Sequence, residues 1–141
     1  MYYTFNECYN LRFLDCRGWD TSNVTRMDNL FTSCLNLYKA DVSLWNVSKV
    51  TIMTNIFNGC YSLKTIDVSR WVVTLPTSFG AIFNACASVE SLDLSGFDST
   101  NVTSFSSMFS GCVSLKELDV SHFNTSKVTT MYYMFYNCRR L

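Results

Sequence analysis

The chain has one histidine, no cluster of lysine and arginine, and no long apolar run. Its eleven basic and eleven acidic residues give a formal net charge of zero, which removes the electrostatic footprint that nucleic acid or an acidic membrane would need. No stretch approaches the roughly 18 apolar residues of a membrane-spanning helix. The start, MYYTFNECYNLRF, lacks a positively charged region followed by an apolar run, so neither membrane insertion nor an export signal is expected of this segment. Also missing are a Gly-rich phosphate loop, a C-x-x-C pair and a G-x-S-x-G element. With His122 as the only imidazole, a nucleophile with its base is hard to build, and the sequence reads as non-enzymatic with no cofactor. What is there is 48% hydrophobic in 141 residues without low-complexity tracts, the composition of one packed domain rather than a disordered chain.

The cysteines reveal the organisation. Cys8, Cys34, Cys60, Cys86, Cys112 and Cys138 stand 26 residues apart, and only Cys16 falls outside the series. The same period holds for Phe5, Phe31, Phe57, Phe83, Phe109 and Phe135, for the column that runs from Leu11 to Leu141, and for Trp19, Trp45, Trp71, Phe97 and Phe123. Such columns define repeats that bury their apolar residues only by stacking. The segment Leu115-Lys-Glu-Leu118-Asp-Val120-Ser-His-Phe123-Asn124 has the spacing of a leucine-rich repeat. The second half of each unit has another period: Val24, Met27, Leu30, Phe31 and Cys34 lie on one face of a helix. Thr21, Ser22, Ser48, Thr100, Thr125 and Ser126 stand where they could cap its first turn, and Gly59 and Gly111 stand near its end.

The expected fold is therefore an α/β solenoid, a leucine-rich-repeat horseshoe with a parallel concave sheet and short convex helices, some of them reduced to 3₁₀ turns. It forms a single domain over 1–141 of about five 26-residue units, both ends falling in mid-repeat, with more repeats expected beyond each. The stretch Val72-Val-Thr-Leu-Pro76-Thr-Ser-Phe departs from the consensus, Pro76 taking the place of Val24 or Val102, and is expected to be a local irregularity in a continuous stack.

The unit Leu92-Asp-Leu-Ser-Gly-Phe-Asp-Ser-Thr-Asn-Val-Thr-Ser-Phe-Ser-Ser-Met-Phe-Ser-Gly-Cys112 resembles those of the BspA-like leucine-rich repeat surface proteins of bacteria and some protozoan parasites. The resemblance covers essentially the whole chain. It implies a cell-surface or secreted protein that adheres to host, matrix or other microbial proteins, and it supplies no catalytic or binding residues to carry over. The corresponding expectation is a non-catalytic adhesion module that takes a protein partner on its concave sheet, the alternative being a structural spacer in a longer surface protein.

Candidate sites follow from the columns. Asp15, Asp41, Asp67, Asp93 and Asp119 lie between inward-facing positions and should point to solvent as a ladder. Strands about 4.8 Å apart would make neighbouring carboxylates repel by about 1 kcal/mol in water. Lys39, Lys64 and Lys116, with hydrogen bonds from Ser43, Ser69, Ser95 and Ser121, should offset that repulsion. Otherwise the ladder receives a cationic partner surface or a divalent ion. Beside it the outward positions vary: Arg12 and Phe13, Tyr38 and Lys39, Lys64 and Thr65, Glu90 and Ser91, Lys116 and Glu117. They read equally as a partner face or as tolerant surface.

The cysteine column reads first as free buried thiols, which behave as small hydrophobes. Inter-unit disulfides rank lower because helices pack 8–10 Å apart, and a metal site ranks lowest. The sequons at Asn23, Asn46, Asn101 and Asn124 arise from the consensus itself. The threonine column Thr25, Thr51, Thr77, Thr103 and Thr129 raises an ice-binding face, although capping at a helix start explains it better.

Overall fold

Each unit offers one short alternating segment, so strands are short and pair with the equivalent segment one repeat away. In the computed structural model, which describes residues 1–141, β1 (Phe13–Asp15) and β2 (Lys39–Asp41) are parallel, with Phe13 opposite Lys39, Leu14 opposite Ala40 and Asp15 opposite Asp41. Single parallel bridges continue the same 26-residue shift from Lys39 to Thr65 and from Ser91 to Glu117. Leu14 and Ala40 turn inward, while Phe13, Lys39 and Asp15 are exposed.

The second half of each unit is not helical, which corrects the expectation of short convex helices. Its apolar spacing buries the residues anticipated, such as Met27, Leu30, Phe31 and Cys34 in one unit and Met53, Ile56, Phe57 and Cys60 in the next. The backbone, however, enters the left-handed region at two positions in every unit. These are the columns of Asn29 (φ 54°), Asn55, Ala81 and Ser107, and of Ser33 (φ 61°), Gly59 (φ 76°), Ala85 and Gly111 (φ 75°). A right-handed helix does not tolerate such residues.

Alternate N–H groups point instead to the next unit. Met27, Asn29, Phe31 and Ser33 donate to the carbonyls of Ile52, Thr54, Ile56 and Asn58 at 2.7–3.0 Å. The groups between them close turns within the unit, as from Cys34 N–H to Phe31 carbonyl at 3.1 Å. Backbone polar groups that a helix would satisfy internally are thus satisfied between units.

The supposed capping residues act in the same way. Ser22, Ser48, Thr100 and Ser126 donate N–H to the side-chain oxygens of Asp20, Asn46, Asp98 and Asn124, closing Asx turns. Buried Thr21 and Ser99 stitch neighbouring units, each hydroxyl donating to one carbonyl (Asn46 or Asn124) and accepting from the same residue's N–H. The threonine column is not a helix start either. Thr51, Thr103 and Thr129 donate both N–H and hydroxyl to the carbonyls of Thr25, Thr77 and Thr103.

One core of 35 buried residues extends from Cys16 to Met134. Phe5, Phe31, Phe57, Phe83, Phe109 and Phe135 form a continuous stack with centroids 5.3–6.0 Å apart. A second runs through Trp19, Trp45, Trp71 and Phe97 at 6.2–6.5 Å. Each such pair contributes about 0.5–1.5 kcal/mol beyond the area it buries.

The thiols of this core are hydrogen-bond donors as well as small hydrophobes. Those of Cys34, Cys60, Cys86, Cys112 and Cys138 reach the carbonyls of Phe5, Phe31, Phe57, Phe83 and Phe109 at 3.0–3.3 Å. With no helices present, helix spacing has no bearing on the thiols, and all seven are free.

The departure after Asp67 is local. Pro76 is buried where Val50 and Val102 stand in other units. The segment before it folds onto the next unit, Val73 N–H donating to the Gly96 carbonyl at 2.9 Å and Asp98 N–H to the Val73 carbonyl at 2.8 Å. A Cβ on Gly96 would lie 1.9 Å from the Trp71 carbonyl oxygen, so this contact requires glycine.

Candidate functional site

All thirteen candidate binding residues lie on the strand face, brought into register by the parallel pairing. Arg12, Tyr38, Lys64, Glu90 and Lys116 form one exposed column, and Phe13, Lys39, Thr65, Ser91 and Glu117 form its neighbour. Backbone bonds from Tyr38 to Arg12, Lys64 to Tyr38 and Lys116 to Glu90 tie the first column together. The aspartates form a third column, with Asp41 half-buried and the other four exposed.

The serines hold the ladder as expected. Ser43 and Ser69 donate hydroxyls to Asp41 and Asp67 at 2.8 and 2.7 Å, while Ser95 and Ser121 donate backbone N–H groups to Asp93 and Asp119 at 3.0 and 2.8 Å. These bonds favour the charged carboxylate and draw Asp67, Asp93 and Asp119 below their ordinary range.

The lysines act on the ladder without direct contact, Lys39 through its charge on Asp15. None forms an ion pair with a ladder aspartate, and Lys116 pairs with Glu90 at 2.5 Å. The cation in contact with the ladder is Arg17. Its Nε and Nη2 donate to the two Asp15 oxygens at 2.9 and 2.6 Å, and Nε stands 3.7 Å from Asp41. This bidentate hydrogen bond is the main reason why the Asp15 carboxyl is lowered to about 2. Arg17 occupies the position that Ser43, Ser69, Ser95 and Ser121 hold elsewhere, which is the only sequence signal for its role.

His122 was also unassigned in the sequence. The indole N–H groups of Trp45 and Trp71 donate to the carbonyls of Cys16 and Val42 at 3.2 and 3.1 Å. In the last unit Phe123 replaces tryptophan, and His122 Nε2 reaches the equivalent Leu94 carbonyl at 3.1 Å. That bond fixes the proton on Nε2, and the ring stands edge-on to Phe123 at 4.9 Å. The structural bond accounts for the only imidazole in the chain.

Two features give the face relief. Phe13 and Tyr38 stack with centroids 6.4 Å apart, and each leaves nearly half its surface in water (46% and 48%). Between the third and fourth units no bridge joins Thr65 to Ser91, and a hollow of about 480 Å³ opens among Lys64, Asp67, Glu90 and Ser91. A second hollow of about 590 Å³ lies beside Asp93, Glu117, Asp119 and His122. No three His, Cys, Asp or Glu side chains converge in a way that would hold a metal ion, and no helix is long and apolar enough to cross a membrane.

No curated protein and no solved structure matches the chain significantly. A family model described as Mycoplasma protein of unknown function, DUF285, matches residues 1–93 and again 77–141. The two overlapping matches span every unit of the repeat, and the chain belongs to the DUF285 family.

Proposed function

We propose that this chain is a leucine-rich-repeat solenoid serving as a non-catalytic protein-binding module, its strand face the concave docking surface. The observation that carries the reading is the contrast among columns on one face. Inward positions are uniformly apolar and the aspartates are constant, whereas Arg12, Tyr38, Lys64, Glu90 and Lys116 differ in size and charge at equivalent exposed sites. A regular scaffold that presents varied side chains fixes a surface shape while leaving its target free to change.

The ladder chemistry supports a non-catalytic role. Asp15, Asp67, Asp93 and Asp119 all shift downward, whereas acid–base work needs two groups whose environments push their pKa values apart. The resemblance to BspA-like surface proteins supports a cell-surface or secreted location, a host or matrix protein as partner, and further repeats on either side. A spacer role is favoured by one observation, that the aspartates are already engaged by Arg17 and the serines.

A binding screen against matrix, serum and mucosal proteins separates the two. It uses the chain beside a variant in which the five ladder aspartates are changed to Asn, which keeps an acceptor oxygen for each serine. Both are first shown to be folded by circular dichroism and thermal melting. Saturable binding that the variant loses is the expected result. No saturable partner for either protein would favour the spacer.

A further inference from the structure

The strand face is electrically divided along the stack. Its first three units carry Arg12, Arg17, Lys39 and Lys64 against three aspartates, and Arg17 covers two of those. Arg12, Lys39 and Lys64 have no ion-pair partner, and they adjoin the exposed Phe13–Tyr38 pair in the two outward columns. The equivalent positions of the last two units carry Lys116 alone against Glu90, Asp93, Glu117 and Asp119. Lys116 is engaged by Glu90, and Asp93, Glu117 and Asp119 have no ion-pair partner around the larger hollow, where His122 is the nearest base.

A surface of this kind rejects partners of uniform charge. Nucleic acid or an anionic membrane would be drawn to the first three units and repelled by the last two, and a polycation would meet the reverse. We infer that the face takes an extended peptide segment of a partner protein, lying along the stack, with acidic and aromatic residues over Arg12, Phe13, Tyr38, Lys39 and Lys64 and basic residues over Asp93, Glu117 and Asp119.

The length of that segment follows from the spacing. Four unit steps separate the first and fifth units, each about 4.8 Å where the backbones pair, with the unbridged Thr65–Ser91 step as the exception, and an extended chain rises about 3.3 Å per residue, so a segment of about six residues or slightly more covers the face. A partner aromatic ring laid on Phe13 and Tyr38 removes from water the largest apolar surface of the two outward columns. Charge complementarity at each end fixes the direction in which the segment lies. This inference rests on the strand-face reading proposed above and adds the chemistry of the partner.

The test uses synthetic eight-residue peptides read by fluorescence anisotropy against the full chain. One pair carries two Asp and a Trp at one end and two Arg at the other, in both chain directions; controls have the same composition with charges interleaved, or acidic residues only. At least one block peptide is expected to bind saturably, about tenfold tighter than the interleaved control, and to weaken as salt rises. The triple variant Arg12→Glu, Lys39→Glu, Lys64→Glu should lose that binding, and so should Glu117→Lys with Asp119→Lys. All these side chains are exposed, and melting curves confirm that the variants are folded.

Equal binding of block and interleaved peptides, or no saturable binding of either block peptide, overturns the inference. If the protein screen nevertheless finds a partner that the five-Asn variant loses, the strand-face reading stands without this partner chemistry. If both experiments fail, the strand-face reading falls with it.

Discussion

Asp15 and Arg17 show how much one pair of side chains changes a repeated position. Every ladder aspartate receives a donor from two residues downstream, but only here is the donor also a guanidinium in bidentate contact. The folded Asp15 carboxyl is lowered from 3.8 to about 2. A depressed carboxylate stabilises the fold above its unfolded value, and that contribution disappears as pH falls through the folded value. The thermal midpoint should therefore drop between pH 4 and pH 2, the window set by those two values. In Arg17→Ala a carboxylate NMR titration should show Asp15 raised from about 2 toward 3.8, held short of it by the residue-17 backbone N–H, and the acid slope of the midpoint made shallower. An unmoved Asp15 titration in that variant would disprove the assignment. Both residues are exposed, so the effect on stability at neutral pH is small. The sequence showed that Asp15 would point outward; it did not show that Arg17, rather than Lys39, would meet it, because that depends on where side chains two and twenty-four residues away come to rest.

The turn segments carry the clearest difference between pattern and conformation. An apolar spacing of three and four residues describes the buried face of the wall as well as it describes a helix, so Leu30, Phe31 and Cys34 were legible as core while their backbone was not. What decides the conformation is the ladder of N–H groups donated to the next unit, together with two left-handed residues per unit. At one of these positions the column reads Ser33, Gly59, Ala85, Gly111. A non-glycine residue there costs about 1–2 kcal/mol, and glycine returns about 0.5–1 kcal/mol of that in chain entropy. Ala85→Gly should accordingly stabilise the protein by about 0.5–1 kcal/mol in chemical denaturation. Gly111→Ala should destabilise it, since its Cβ would come within 3.3 Å of Ala85 Cα at a φ of 75°. Loss of stability in Ala85→Gly would show that the left-handed backbone is not strained.

Across the whole molecule, stability depends on contacts repeated from unit to unit, and the cysteines sample nearly all of them. Burial raises the thiols of Cys16 and Cys34 to about 11 and that of Cys112 to about 12, and it pushes Cys60 and Cys86 up as well. A raised folded pKa means that stability is complete below the unfolded value and is lost as pH climbs through the folded one. The melting temperature should fall between pH 9 and pH 11. At pH 8 these five buried thiols should resist alkylation until the stack opens, and mass spectrometry of partly denatured samples should find them reacting together. Modification of Cys60 or Cys86 in the fully folded protein would show that the wall opens locally.

The sequence alone determined the 26-residue period, the inward columns, the outward aspartates and the serines that bond to them, because burial and hydrogen-bonding needs repeat with the chain. Tertiary structure decided the rest. It replaced the helices with turns bonded between units, turned the thiols into donors to phenylalanine carbonyls, set His122 in the place of a tryptophan N–H, and brought Arg17 across Asp15 and Asp41. Apart from the local Arg17–Asp15 bond, each of these rests on a partner about one repeat away or on a backbone angle that side-chain pattern does not specify, so it exists only once neighbouring units are stacked.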